Sequence, residues 1–368
     1  MKSTSQLNTC LPASKNGEFA TTLLTWYDDN RRELPWRGAS DLYAIWVSEV
    51  MLQQTRVKYV QGYYTRFLEA FPTLEDLAAA KLDDILRIWE GMGYYARAHR
   101  LQAAAREVVD SGQTPSNSHE LLALPGLGPY SSRAIASIAF GEAVAAVDGN
   151  VRRVISRIFA HYGDPIKEIQ ALADSLLCHH RPGDYNQSMM ELGSQICTPK
   201  RPKCHLCPVQ RFCQAWLDGS PEAYPLSKKK ESIPHYDVAV AVLRNPSGKI
   251  FIQQRPSKGL LGGLWELPGG KATPGESGTQ TCKRELYEEL GVKVLVGDLI
   301  AKIKHAYSHF RITLRAYECT VIDGEPVSTA GLKSQWVDPQ QLHQFAFPRA
   351  NRRILDLLTP PIPESNLS

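Results

Sequence analysis

The residues best suited to chemistry fall into three groups. Cys197, Cys204, Cys207 and Cys213 crowd into seventeen residues with the spacing Cys-x6-Cys-x2-Cys-x5-Cys, half of the eight cysteines in the chain. Four thiolates so close, joined by the basic, proline-bearing loop Thr198–Lys203, point to a metal or an iron–sulfur cluster. A disulfide framework belongs to short secreted chains. Spacing alone does not choose the metal. Structural zinc favours two short Cys-x-x-Cys pairs and only one is present, whereas iron–sulfur proteins accept more varied spacings. The second group is a pair of carboxylates far apart in sequence, Glu49 and Asp148. Alone, Glu49 reads as a solvated helix position four residues after Ile45, and Asp148, ahead of Gly149–Val154, reads as a helix N-cap. The third is Glu285, Glu288 and Glu289, at i, i+3 and i+4 of a predicted helix, where clustered acids suit a hard cation such as Mg²⁺.

These groups need elements to hold them. Apolar residues recur at helical spacing around Leu23–Tyr27, Tyr43–Met51 and Ile85–Trp89, so residues 18–217 read as an all-α domain that includes the cysteine loop, 197–213. Residues 218–235 are small, charged and proline-bearing, the composition of a linker. Beyond them, Asp237–Leu243, Lys249–Gln254 and Arg311–Val321 read as strands, which makes 236–350 an α/β domain. Between two helical segments lies Leu124-Pro125-Gly126-Leu127-Gly128-Pro129-Tyr130. Gly126 and Gly128 allow a tight turn whose N–H groups face outward at a helix start. That arrangement holds a phosphate, or else simply makes a packing corner.

Bulk properties set limits. With 43% hydrophobic and 22% charged residues, the 368-residue chain has an ordinary soluble composition and room for two domains. No stretch is long and apolar enough to span a membrane, since the best, Ala134–Val147, is cut by Glu142. No secretory signal opens the chain, and the scattered remaining cysteines suit a reducing interior. The net charge of +4 is mild, and splitting at Pro225 gives 23 Lys+Arg against 24 Asp+Glu before it and 19 against 14 after it. Neither half is a strongly basic module, so any DNA contact must come from placed groups rather than a global field.

Taken together, the hairpin, Asp148 and the cysteine run resemble the helix–hairpin–helix DNA glycosylases, endonuclease III branch. That resemblance implies a 4Fe–4S cluster on the four cysteines and a hairpin that grips DNA backbone through Gly126 and Gly128. In bifunctional members a lysine stands where this chain has Tyr130, which offers no amine for a Schiff base. Trp46–Thr55, Leu34–Arg37, Gly91–Arg97 and Met189–Gly193 are similar to the adenine DNA glycosylases within that branch, and the likeness runs from about Phe19 to Phe347. It implies that Glu49 protonates adenine N7 and later helps a water attack, while Asp148 stabilises or transiently bonds C1′ and Tyr130 orients Glu49. Trp36, Arg37, Leu52 and Glu191 would line the flipped-adenine pocket. Gln54, Thr55 and Tyr94 would sit beside the opposite base.

Residues 236–350 resemble the MutT-like, or Nudix, domain of that family. Lys304–His309 matches its lesion loop, with Ser308 reading the Hoogsteen edge of 8-oxoguanine and Tyr307 and His309 supporting it; the family often has phenylalanine at the Tyr307 position. Gly270-x5-Glu276-x7-Arg284-Glu285-Leu286-x-Glu288-Glu289-x-Gly291-Val292 also fits the full Nudix box, which binds Mg²⁺ and hydrolyses nucleoside diphosphates. The box reads either as a working site or as an inherited loop–helix–loop scaffold. The expectation is a multidomain, monofunctional enzyme that excises adenine opposite 8-oxoguanine or guanine in double-stranded DNA. It would act as a monomer in the cytoplasm at the nucleoid, or in the nucleus or mitochondrion of a eukaryote. The alternatives are an endonuclease III-like glycosylase for oxidised pyrimidines and a bifunctional protein with added Nudix hydrolysis.

Overall fold

The computed structural model describes residues 13–163, 165–226, 232–330 and 332–358. Residues 227–231 of the expected linker lie outside the described residues. The chain divides into two compact units, drawn from the described residues of Met1–Ala78 with Arg100–Lys229 and of Ala79–His99 with Lys230–Ser368. The sequence expectation left residues 79–99 in the helical domain. In the structure this segment packs with the C-terminal unit. Gln254 donates to Asp83 at 2.8 Å, and the Arg352 guanidinium pairs with Glu90 at 2.8 Å. Helical periodicity in Ile85–Trp89 says that a face is buried, not against what.

The first unit is helical. Its centre is the helix Leu42–Leu52, capped by Asp41, whose side chain accepts from the Ala44 N–H at 2.8 Å. Every residue from Tyr43 to Met51 except Ala44 is buried, so this helix is enclosed on all sides and has no solvated face. The helix Val57–Ala70 buries Val60, Tyr64 and Phe67 at i, i+4 and i+7. A second core gathers Leu23, Val154, Ile158, Leu172, Tyr185 and Met189 from four different helices. It sets the helices Gly149–Ile158 and Pro182–Gln195 side by side. No described helix is long and apolar enough to cross a membrane.

The second unit is built on strands β1 (His235–Leu243), β2 (Ile250–Gln254), β3 (Trp265–Glu266), β4 (Gly269–Lys271), β5 (Lys293–Ala306), β6 (Arg311–Asp323) and β7 (Ser334–Val337). They form a mixed sheet in the order β4-β1-β6-β5, with β1 parallel to β6, and a smaller antiparallel sheet β3-β2-β7. The helix Gly278–Leu290 starts in a capping box between Ser277 and Gln280 and ends at Gly291, whose φ of 69° suits glycine. It packs over a core of Ala241, Leu286, Leu290 and Cys319, while the helix Arg349–Leu358 covers the opposite apolar layer.

Candidate active site and cysteine pocket

In the first unit, the buried helix Leu42–Leu52 presents Glu49, which is only 6% exposed. The Tyr130 hydroxyl donates to Glu49 Oε2 at 3.0 Å and also reaches Met190 Sδ at 3.4 Å. Burial pushes the Glu49 carboxyl up to about 7, against the hydrogen bond from Tyr130, and the nearby Asp148 charge pushes the same way as burial. Burial likewise drives the Tyr130 hydroxyl well above the usual tyrosine range. Near neutral pH, Glu49 therefore holds its proton in a large share of molecules.

Asp148 is the N-cap of Gly149–Ile158, as the plainest reading of its sequence predicts. Its Oδ1 accepts from the Val151 N–H at 2.7 Å and its Oδ2 from Asn150 Nδ2 at 2.9 Å. Burial raises its carboxyl above the usual aspartate range, and those hydrogen bonds together with the Arg153 charge offset only part of that rise. Capping and chemistry are compatible here, because the helix N-terminus and two donors hold a half-buried carboxylate in place. The site thus pairs a carboxyl disposed to keep a proton with a carboxylate supplied with donors. This asymmetry lets two acids take opposite roles in glycosidic cleavage.

Glu191 is also buried, yet its carboxyl lies below the ordinary range. Burial acts to raise it, but Arg32 and Arg37 outweigh burial. Arg32 donates from its backbone N at 3.0 Å, from Nε at 2.8 Å and from Nη2, and Arg37 Nη1 adds a contact at 3.2 Å. Arg37 also stands over the Tyr27 ring at 5.3 Å, and buried Trp36 meets Tyr64 edge-on at 5.4 Å. Leu52 closes the helix that carries Glu49.

The hairpin joins the helix Ser118–Ala123 to the helix Pro129–Ala139, for which Gly128 is the N-cap. Gly126 has φ 84°, and a Cβ there would come within 2.7 Å of Arg100 Cβ, so both the turn and the close approach require glycine. Gln53 ties the hairpin to the end of the Glu49 helix, donating to Ser131 Oγ at 2.8 Å. Gln54 is exposed in the left-handed region at φ 58°, and Thr55 follows it in the turn. Sequence reasoning singled out Gln54 and Thr55 but missed Gln53 and Arg32, which carry no motif of their own.

Cys197, Cys204, Cys207 and Cys213 line one pocket together with Arg157, Gln210 and Trp216. Arg157 is 2% exposed; it donates to Cys197 Sγ at 3.2 Å and to the Thr198 carbonyl at 2.8 Å. Burial pushes the Cys207 thiol up to about 12 and Cys213 up to about 11. Four half-buried thiols facing one pocket make a donor set that fits an iron–sulfur cluster.

In the second unit, Tyr94 stands at φ 51°, and its hydroxyl shares a hydrogen bond with Ser308 Oγ. Buried Arg97 braces the Tyr94 turn, donating to the Gly93 carbonyl at 2.9 Å. Ser308 and exposed His309 lie in the turn between β5 and β6, where Tyr307 stacks on Phe310 at 4.7 Å. In the acidic box, Arg284 pairs with Glu276 at 2.9 Å and with Glu285 and Glu288 at 3.0 Å each. Glu289 turns away, accepting from Gln253 Nε2 at 2.9 Å and the Gly269 N–H at 3.2 Å.

Comparison with known proteins matches three family models along the chain, and the helical one includes residues 79–99, which pack with the second unit. Residues 47–178 match the HhH-GPD superfamily of base excision DNA repair proteins, 197–213 the iron–sulfur binding domain of endonuclease III, and 239–357 the NUDIX domain. The chain is 35% identical to the adenine DNA glycosylase of Homo sapiens, over 91% of this chain and 73% of that protein. It is 30% identical to that of Buchnera aphidicola subsp. Schizaphis graminum, over 92% of this chain and 98% of the relative. Among solved structures, a thermostable thymine-DNA glycosylase superposes with a TM-score of 0.52 and 31% identity, covering 56% of this chain and 98% of that one. An endonuclease III–DNA complex shares the fold, with a TM-score of 0.50 and 22% identity over 57% of this chain and 98% of that one.

Proposed function

The chain belongs to the adenine DNA glycosylase family, and we propose that its preferred target is adenine paired with 8-oxoguanine, with guanine as the weaker opposite base. The enzyme is a base excision repair glycosylase acting on DNA, with an iron–sulfur cluster. The observation that carries the assignment of its chemistry is Glu49, a buried carboxyl held at about 7 with Tyr130 as its hydrogen-bond partner.

Adenine is a poor leaving group, and the C1′–N9 bond breaks only as negative charge on the base is neutralised. Glu49 gives its proton to adenine N7 as the bonding pair passes to N9. Asp148 faces the positive charge left on C1′. A water then adds to C1′ and yields its proton to the Glu49 carboxylate, which restores the acid for the next turnover. Tyr130 fixes the direction of the Glu49 carboxyl and supplies no amine, so the strand is left uncut and no Schiff base forms. Glu191, locked by Arg32 and Arg37, shapes the pocket for the flipped base with Trp36 and Leu52; it is too firmly ionised to act as an acid. Gly126 and Gly128 turn N–H groups of the hairpin toward phosphate. Gln54 and Thr55 fill space beside the opposite base, and Tyr94, in the second unit, supports the Ser308 turn. Cys197, Cys204, Cys207 and Cys213 would hold the 4Fe–4S cluster, whose part would be to brace the loop between them rather than to act in hydrolysis.

The preference for 8-oxoguanine is supported by the Ser308 turn. An exposed hydroxyl beside Tyr94, with His309 next to it and Tyr307 stacked on Phe310, can accept a hydrogen bond from the N7–H that distinguishes the oxidised base. The acidic box is read as a scaffold with at most weak Mg²⁺ affinity at Glu285, Glu288 and Glu289. Arg284 already engages two of these acids and Glu289 is committed to Gln253 and Gly269. The test is a panel of duplexes containing 8-oxoguanine:A, G:A, 8-oxoguanine:C and thymine glycol, scored for base release. Adenine leaving fastest from 8-oxoguanine:A supports the assignment. Release of thymine glycol, or equal rates at 8-oxoguanine:A and G:A, contradicts it.

A further inference from the structure

A second charged surface lies on the helix that follows the Glu49 helix. The helix Val57–Ala70 buries Val60, Tyr64 and Phe67, while Arg56, its N-cap, and Lys58, Tyr59 and Arg66 are exposed. The Lys58 ammonium lies 4.9 Å from the centre of the Tyr59 ring, and the Arg66 guanidinium lies 4.9 Å from that of Tyr63. Neither Arg56, Lys58 nor Arg66 forms an ion pair with another described residue, and the helix carries a single acid, Glu69. Cations held against rings without a counter-ion are placed to meet an anion that comes from outside.

Where the helix begins narrows the choice of anion. It opens directly after the turn Gln53–Arg56, which leaves the end of the Glu49 helix. A duplex that delivers its base to Glu49 must run on past this turn. Lys58 and Arg66 are eight residues apart, about 12 Å along a helix axis, far enough to meet separate phosphates. We propose that Arg56, Lys58 and Arg66, with the Tyr59 and Tyr63 rings, form a ridge that binds the phosphate backbone of duplex DNA flanking the target base. The inference rests on the chain acting on DNA. It assigns this helix the sequence-independent part of binding, which the mild overall charge of the protein leaves to placed groups.

The test uses the full-length holoenzyme and a duplex bearing a stable abasic analogue, with affinity measured against salt concentration. Each phosphate contact contributes about −0.9 to the slope of log K against log salt. The Lys58→Gln/Arg66→Gln double variant is expected to show a slope shallower by about 1.8. Lys58→Arg/Arg66→Lys is expected to restore the wild-type slope. A wild-type slope in the Gln double variant overturns the proposal and leaves the ridge to an acidic protein partner. Because binding is read without chemistry, failure of adenine release by the wild-type enzyme would contradict the functional assignment and leave this test intact.

Discussion

Two regions of the molecule gather glutamates, and the chain treats them in opposite ways. Glu49 in the first unit is driven up to about 7 by burial, while Glu276 in the acidic box of the second is drawn down to about 2, chiefly by the Arg284 guanidinium. Glu49 has a neutral hydroxyl for a partner. Glu276, Glu285 and Glu288 share one arginine. A carboxyl becomes an acid catalyst when it loses water without gaining a cation. Glu191 makes the same point inside the first unit, since it is as deeply buried as Glu49 but two arginines keep it charged.

Breaking the first region has the largest expected effect. Glu49→Gln removes the transferable proton and should lower single-turnover adenine release by roughly 10²–10⁴-fold while mismatch binding survives. The same substitution sharpens the comparison through stability. Glu49 binds its proton more tightly folded than unfolded, so its burial weighs against the fold increasingly as pH rises from about 4.5 through about 7. The cost is on the order of 3 kcal/mol above that window. Glu49→Gln should therefore melt higher than the wild type at pH 8 and show little difference at pH 4, which thermal denaturation at the two pH values will show. Asp148→Asn comes next. Asparagine caps a helix as well as aspartate, so the fold should persist while the rate falls roughly 10²–10³-fold, and circular dichroism beside kinetics separates the two.

In the second unit the expected loss is of discrimination. Ser308→Ala with His309→Ala should reduce the preference for 8-oxoguanine:A over G:A by an amount equivalent to roughly 1–3 kcal/mol, measured as a ratio of rates on the two duplexes. Tyr130→Phe should act more gently. The Tyr130 hydrogen bond holds Glu49 down, so its loss should move the falling limb of the pH–rate profile upward while much of the rate at neutral pH remains. Glu288→Gln should change nothing in adenine release. The wild type should not cleave 8-oxo-dGTP, ADP-ribose or dinucleoside polyphosphates with Mg²⁺ or Mn²⁺; turnover that this substitution abolishes would show that the box works after all.

Much of the candidate site was legible in the chain because its parts are carried by local motifs. The Gly126–Gly128 turn, the Asp148 cap and the cysteine spacing each imply a local geometry that needs no partner elsewhere. The remainder depends on contacts made across long stretches of sequence. Arg32 meets Glu191 across 159 positions and Gln53 meets Ser131 across 78, and neither has a spacing that announces the pairing. The same limit explains residues 79–99, whose helical period was plain although the surface it packs on was not. It also explains the box, where sequence shows clustered acids but not that Arg284 bonds two of them and Gly269 and Gln253 a third.

The central claim, that a buried protonated Glu49 drives the reaction, is tested most directly by the pH dependence of single-turnover adenine release from an 8-oxoguanine:A duplex at saturating enzyme. The predicted result is a rate that falls as pH rises through about 7, with that limb missing from the residual activity of Glu49→Gln. A flat profile across this range, or a Glu49→Gln enzyme as fast as the wild type, would contradict it.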